Sequence, residues 1–74
     1  MRQNICMEKI KTRIRELREE KGLTQEQLGE EIGFRSNTIS QYETGVLEPN
    51  LQTIKKLCDF FDVSADYLLG FKEF

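Results

Sequence analysis

Apolar residues recur along the chain at spacings of three and four, and short polar or glycine-marked breaks divide them into five groups. That rhythm predicts helices rather than strands. Ile10, Ile14 and Leu17 share one face of a first helix predicted over 8–21, and Gly22 ends it. Leu23 is expected to fold back onto that stripe. Thr24 is a good N-cap for a second helix starting at Gln25, and Gln27 three residues on completes a capping box. Leu28 and Ile32 share a face of this helix, and Ile39 and Tyr42 share a face of a third. The third helix starts at Arg35 or Ser36 and runs to Glu43 or Thr44 before Gly45. Pro49 makes 46–49 a loop. Asn50 caps a fourth helix whose Leu51, Ile54, Leu57, Cys58 and Phe61 all read as core, Cys58 as a small buried hydrophobe. Asp62 and Val63 form a turn, Ser64 caps a short last helix with Tyr67, Leu68 and Leu69, and Gly70 closes it.

The stretch 25–44 carries the function. Gly33 between the second and third helices can take the positive φ that reverses a chain within about three or four residues. Gly29 costs its helix roughly 1 kcal/mol against alanine, so the missing side chain should be offset by a close crossing of the following helix. The two short helices and their tight turn read as a helix-turn-helix that docks on double-stranded DNA. Stepping about 100° per residue from a buried Ile39 points Asn37 and Gln41 outward, with Thr44 beside them and Ser36, Thr38 and Ser40 flanking. All six are uncharged, whereas an ordinary solvated helix face draws on Glu and Lys. An amide offers a donor and an acceptor together, which matches the major-groove edge of adenine. Arg35, at the helix entrance, reaches a guanine or a phosphate. That outward face, with Arg35 at its entrance, is the expected base-reading surface. Phosphates are expected at the start of the second helix, through the Thr24 hydroxyl, Gln25 and unpaired N–H groups, with Ser40 on the flank of the third.

Composition narrows the alternatives. Seventy-four residues make one small domain with a modest core. Two cysteines, Cys6 in a loose end and Cys58 in a helical stripe, do not suggest a disulfide, and with no histidine no zinc site, other metal or cofactor is expected. An enzyme is the poorest reading, with no nucleophile near a base and no room for a cleft. The first residues hold no apolar run fit for a signal peptide or membrane span, so a cytoplasmic location is expected. The net charge of −2 counts against nucleic-acid binding, but residues 1–21 hold seven basic and four acidic groups while 22–45 hold one and four. If DNA is the ligand, Glu26, Glu30 and Glu31 must point away from phosphates. Residues 1–7 read as a lead-in in which Arg2 is either a minor-groove arm or a frayed end, 8–70 as the domain and 71–74 as an apolar tail. Tyr67, Leu68, Phe71 and Phe74 are expected to supply a homodimer surface.

Several short motifs stand in register: Leu17-Arg18, GLTQ over 22–25, TISQYETG over 38–45, Pro49 followed by a cap, and DYLLG over 66–70. Together they resemble the lambda-repressor-like, or Xre/Cro-type, helix-turn-helix family over residues 10–70. The resemblance implies an all-α, compact five-helix DNA-binding domain that binds operator DNA as a dimer, its third helix in the major groove. It carries base reading onto Ser36, Asn37, Thr38 and Gln41, and phosphate binding onto Gln25, Asn37 and Thr44. It also implies a structural ion pair between Arg18 and Glu43, two residues that helical pattern alone would leave in solvent. The chain departs from the family pattern in having Gly29 where alanine is commoner and a more acidic surface. The expected function is a sequence-specific transcriptional regulator, a repressor on a palindromic operator. The alternative is an antitoxin or antirepressor that binds a protein partner through its acidic face.

Overall fold

Five helices follow one another in the computed structural model, which describes residues 7–72: α1 Met7–Glu20, α2 Gln25–Ile32, α3 Ser36–Thr44, α4 Leu51–Phe61 and α5 Ala65–Leu68. No strand occurs among the described residues. The expectations for Arg2, Cys6 and Phe74 lie outside them.

Local chemistry explains where each helix starts and stops. Gly22, with φ 71°, lets the chain leave α1, and the Leu23 N–H returns to the Arg18 carbonyl at 3.1 Å. Thr24 Oγ1 accepts from the Gln27 N–H at 3.0 Å while Gln27 Oε1 accepts from the Thr24 N–H at 2.9 Å. Asn50 Oδ1 caps α4 through the Thr53 N–H and Ser64 Oγ caps α5 through the Tyr67 N–H. Each such cap contributes about 1 kcal/mol. Asp62 takes the left-handed conformation that ends α4.

The core joins all five helices through Ile10, Ile14, Leu17, Leu28, Ile32, Ile39, Tyr42, Ile54, Leu57, Phe61 and Leu68. Two sequence expectations fail here. Leu51 is 81% exposed, not core. Viewed down α4 from the buried Leu57, Ile54 and Phe61 stand about 60° and 40° to one side, and Leu51 stands about 120° round on that same side, past the edge of the buried face. Thr53, about 40° from Leu57, is buried in its place. Cys58, about 100° round, is half-buried. The second correction concerns Leu68, which is fully buried in the core and contributes nothing to an outer apolar surface; of the same group Tyr67 is half-buried and Phe71 is exposed.

A buried arginine holds the end of the described chain. Arg13 donates to the Tyr67 carbonyl and, at 2.6 Å, to the Lys72 carbonyl, with its guanidinium carbon 4.1 Å from the Tyr67 ring centroid. The 66–72 segment is thereby laid against α1. Among the described residues no helix is long and apolar enough to cross a membrane.

Candidate nucleic-acid interface

The helix-turn-helix is built on one carbonyl. The Gly29 oxygen accepts from both the Gly33 and the Phe34 N–H, each at 2.7 Å, and Gly33 turns the chain at φ 87°. A methyl added to Gly29 would meet the Phe34 carbonyl oxygen well inside van der Waals contact, with the Phe34 and Arg35 carbonyl carbons at 3.1 and 3.3 Å. The close approach that the glycine permits is therefore made by the turn, not by α3 as the sequence suggested. Phe34 stands edge-on to Tyr42, with ring centroids 6.1 Å apart, and Lys56 from α4 lies 5.2 Å from the Phe34 ring while donating to the Ile32 carbonyl at 3.4 Å. A cation at the end of α2 suits both the helix dipole and the ring face. No sequence motif signals this Lys56 contact, which spans 24 residues.

On α3, Ile39 and Tyr42 are buried beneath the helix while Arg35, Ser36, Asn37 and Thr44 are exposed. Gln41 is half-exposed, and Thr38 and Ser40 flank with partial burial. Neither the Asn37 nor the Gln41 amide makes a hydrogen bond within the described residues. Arg35 occupies the N-cap position without a side-chain cap, so the first N–H groups of α3 are left for solvent or a ligand. The Gln41 carbonyl accepts from the Leu47 N–H at 3.2 Å and from the Thr44 hydroxyl at 3.3 Å, so the Thr44 proton is directed into its own helix.

A three-way clamp fixes this helix to its neighbours. Arg18 Nε donates to Glu43 Oε2 at 2.6 Å and Nη2 to Oε1 at 3.1 Å, while Nη1 reaches the Leu23 carbonyl at 2.8 Å. The side chains are only 12% and 4% exposed. The hydrogen bond to Glu43 raises the Arg18 pKa above its usual value, so the guanidinium stays charged. Gln25 Nε2 also donates to Glu43 Oε1, at 3.1 Å. The Gln25 amide is thus oriented by the clamp, with one amide hydrogen left unengaged among the described residues. Thr24 is exposed, and its oxygen serves the capping box while its hydroxyl hydrogen remains a donor. Arg18, Gln25 and Glu43 therefore meet at one point, and Thr24 adjoins it. Asn37 and Gln41 stand apart on the outward face.

The acidic residues are arranged around α2. Glu26, Glu30 and Glu31 are all exposed. Glu30 and Glu31 stand about 140° and 120° around the helix from Gln25, on its far side, while Glu26 is only about 100° away.

A helix-turn-helix family model matches residues 14–68. The chain is 38% identical over 58 residues to the HTH-type transcriptional regulator ImmR of Bacillus subtilis (strain 168), a match covering 78% of this chain and 46% of that protein. It is 39% identical over 61 residues to the HTH-type transcriptional activator BcrR of Enterococcus faecalis, covering 82% of this chain and 30% of that protein. It thus spans half or less of these two relatives. The crystal structure of the P22 c2 repressor protein in complex with synthetic operator 9T in the presence of Tl+ superimposes with a TM-score of 0.76 at 35% identity, over 81% of this chain and 91% of that one.

Proposed function

We infer that this chain, which belongs to the helix-turn-helix family, is a sequence-specific DNA-binding transcriptional regulator that lays α3 in the major groove. The observation that carries this reading is the outward amide pair, exposed Asn37 and half-exposed Gln41, without hydrogen-bond partners among the described residues on a helix whose opposite face is buried and clamped. Arg35, Ser36, Asn37, Thr38 and Gln41 face base edges. Thr24, Gln25, Asn37 and Ser40 hold phosphates, Thr44 joins them once its hydroxyl turns away from the Gln41 carbonyl, and the clamp sets the angle between the two groups. Because one short helix reads few base pairs, two copies bind an inverted repeat with half-sites about one turn of duplex apart. The likeness to a repressor solved on its operator supports repression by occupancy of such a site.

The exposed Glu30 and Glu31 favour a second reading, a regulator of the antitoxin or antirepressor kind that engages a protein through this acidic side. Gel shifts with selected duplexes across a salt series separate the two. A DNA reader gives sequence-selective shifts that weaken as salt rises, because bound phosphates release counterions. Equal, weak shifts on all duplexes would leave the protein-binding reading.

A further inference from the structure

The helix-turn-helix itself is poor in cations. Between residues 22 and 45 the only base is Arg35, set against Glu26, Glu30, Glu31 and Glu43. A duplex presents a dense row of phosphates, and a protein that follows it must neutralise several of them. The bases for this lie on α1. Lys11, Arg15 and Arg18 fall within about 60° of one another round that helix, and Arg18 marks the edge that meets α3. Glu19 and Glu16 stand about 80° and 140° from Lys11, on the side away from Arg18.

This stripe borders the end of α3. The Lys11 side chain crosses Gly45, with Cδ and Nζ 3.3 and 3.6 Å from where a methyl carbon on that glycine would stand. Lys11, Arg15 and Thr44 share an open recess of about 650 Å³ with Glu16, Glu19 and Glu43. We propose that this recess takes a phosphate of the duplex that α3 reads, with Lys11 and Arg15 as its cationic donors. The inference rests on the DNA-binding reading and extends its phosphate-holding face onto α1.

Three observations favour a phosphodiester as the occupant. The first is continuity: Glu43 lines the recess and also accepts from Gln25, so the recess links Gln25 to Thr44, both proposed phosphate contacts. Charge is the second. The Glu43 carboxylate is neutralised by Arg18 at 2.6 Å, and Glu19 is held 3.2 Å from the Arg15 guanidinium in an exposed pair, with 65% of the Arg15 side chain in solvent. A pair of this kind contributes little, so Arg15 is readily exchanged onto phosphate oxygens. Donor chemistry is the third. A guanidinium fork matches two phosphate oxygens, and an ammonium adds a point charge. The C-terminal dipole of α3 attracts the Lys11 ammonium, which holds it at the rim of the recess before any ligand arrives.

The test measures binding of the full chain to duplexes selected by the wild type, across a salt series. The variants are Lys11→Gln, Lys11→Arg, Arg15→Gln, Glu19→Gln and Lys9→Gln. Lys9 stands about 160° from Lys11 on the same helix and controls for net charge. Thermal melts check that each variant stays folded, and Lys11→Arg separates loss of the cation from loss of packing at Gly45. Lys11→Gln and Arg15→Gln should each make the slope of log K against log salt shallower by about 0.9 and weaken binding several-fold at low salt, with base preference unchanged. Lys11→Arg should restore the wild-type slope. Glu19→Gln, which frees Arg15 and removes an opposing charge, should bind several-fold tighter at low salt. Slopes for Lys11→Gln and Arg15→Gln that match the slope for Lys9→Gln overturn the site while selective binding by the wild type leaves the DNA reading standing. Should Lys11→Gln fail to fold, Arg15→Gln and Glu19→Gln decide it: an unchanged slope in the one with no gain in the other refutes the site. A wild-type chain that shifts no duplex at any salt overturns the reading and the site together.

Discussion

Replacing Glu43 by alanine tests the clamp beneath the reading helix. Its carboxylate accepts from Arg18 Nε at 2.6 Å, Arg18 Nη2 at 3.1 Å and Gln25 Nε2 at 3.1 Å, with only 4% of the side chain exposed. Truncation leaves the Arg18 guanidinium, itself 12% exposed, with two donors unsatisfied. Breaking a buried pair costs about 3–5 kcal/mol, most of it the penalty of an uncompensated charge. Here Arg18 keeps the Leu23 carbonyl at 2.8 Å and a distant Glu19 carboxylate at 3.9 Å, which lowers the expectation by about 1 kcal/mol. We expect a loss of about 2–4 kcal/mol in urea unfolding with an unchanged m-value, and a fall in Tm of roughly 10–25 °C for a domain of this size. Glu43→Gln, which keeps the shape and one acceptor oxygen, should lose about half as much. The control is Glu30→Ala, exposed on the far side of α2, where the change should stay within about 0.5 kcal/mol. Equal effects of Glu43→Ala and Glu30→Ala would show that the pair is held no more firmly than a surface ion pair and that α3 is not clamped.

Gly29→Ala sets a gain in helix propensity of about 1 kcal/mol against crowding of backbone worth about 1–3 kcal/mol. Because the obstructing atoms belong to the Phe34–Arg35 backbone, urea unfolding should show a net loss of stability, and a stabilised variant would mean that the turn shifts freely. On the specific duplex, Gln41→Ala should cost about 1–3 kcal/mol and relax preference at one base pair, and an unchanged preference would remove Gln41 from the reading face. Burial, and then the Asp59 charge, push the Cys58 thiol pKa above its usual value. In a Cys6→Ser background its rate of alkylation should therefore rise with pH along a curve displaced to higher pH than that of a small free thiol. Linkage gives the matching sign for stability: the contribution is complete below the unfolded thiol pKa and is lost as pH rises towards the folded one. A curve that coincides with the free thiol's would refute the burial.

The parts of the fold visible in sequence are those written over a few residues. Thr24 with Gln27, Asn50 and Ser64 mark helix starts because a cap and its N–H partner lie within three residues, and Gly22, Gly33 and Gly45 mark ends because each must take a positive φ. Leu51 misled because its spacing of three from Ile54 fits a helical face, whereas the buried face is centred nearer Leu57 and Thr53, and a threonine there carries no apolar signal. Leu68 misled in the other direction, since its pairing with α1 depends on the packing of distant segments. The candidate site divides in the same way. The outward face of α3 follows from a single periodicity once Ile39 is taken as buried. The meeting of Arg18, Gln25 and Glu43 spans up to 25 residues and has no local signature; only likeness to a family brought the first and last together, and nothing pointed to Gln25 as the third member. The cover of Gly29 by the following turn was legible as a need for space, but not as to what fills it.

The most direct test of the account is selection of bound duplexes from a random pool by the wild-type chain and, in parallel, by an Asn37→Ala, Gln41→Ala double variant that melts as the wild type does. The wild type should recover inverted repeats in which adenine positions of each half-site are fixed, and the double variant should lose those positions while retaining weak, salt-sensitive binding. Recovery of the same motif by both proteins would contradict the claim that these amides read the groove.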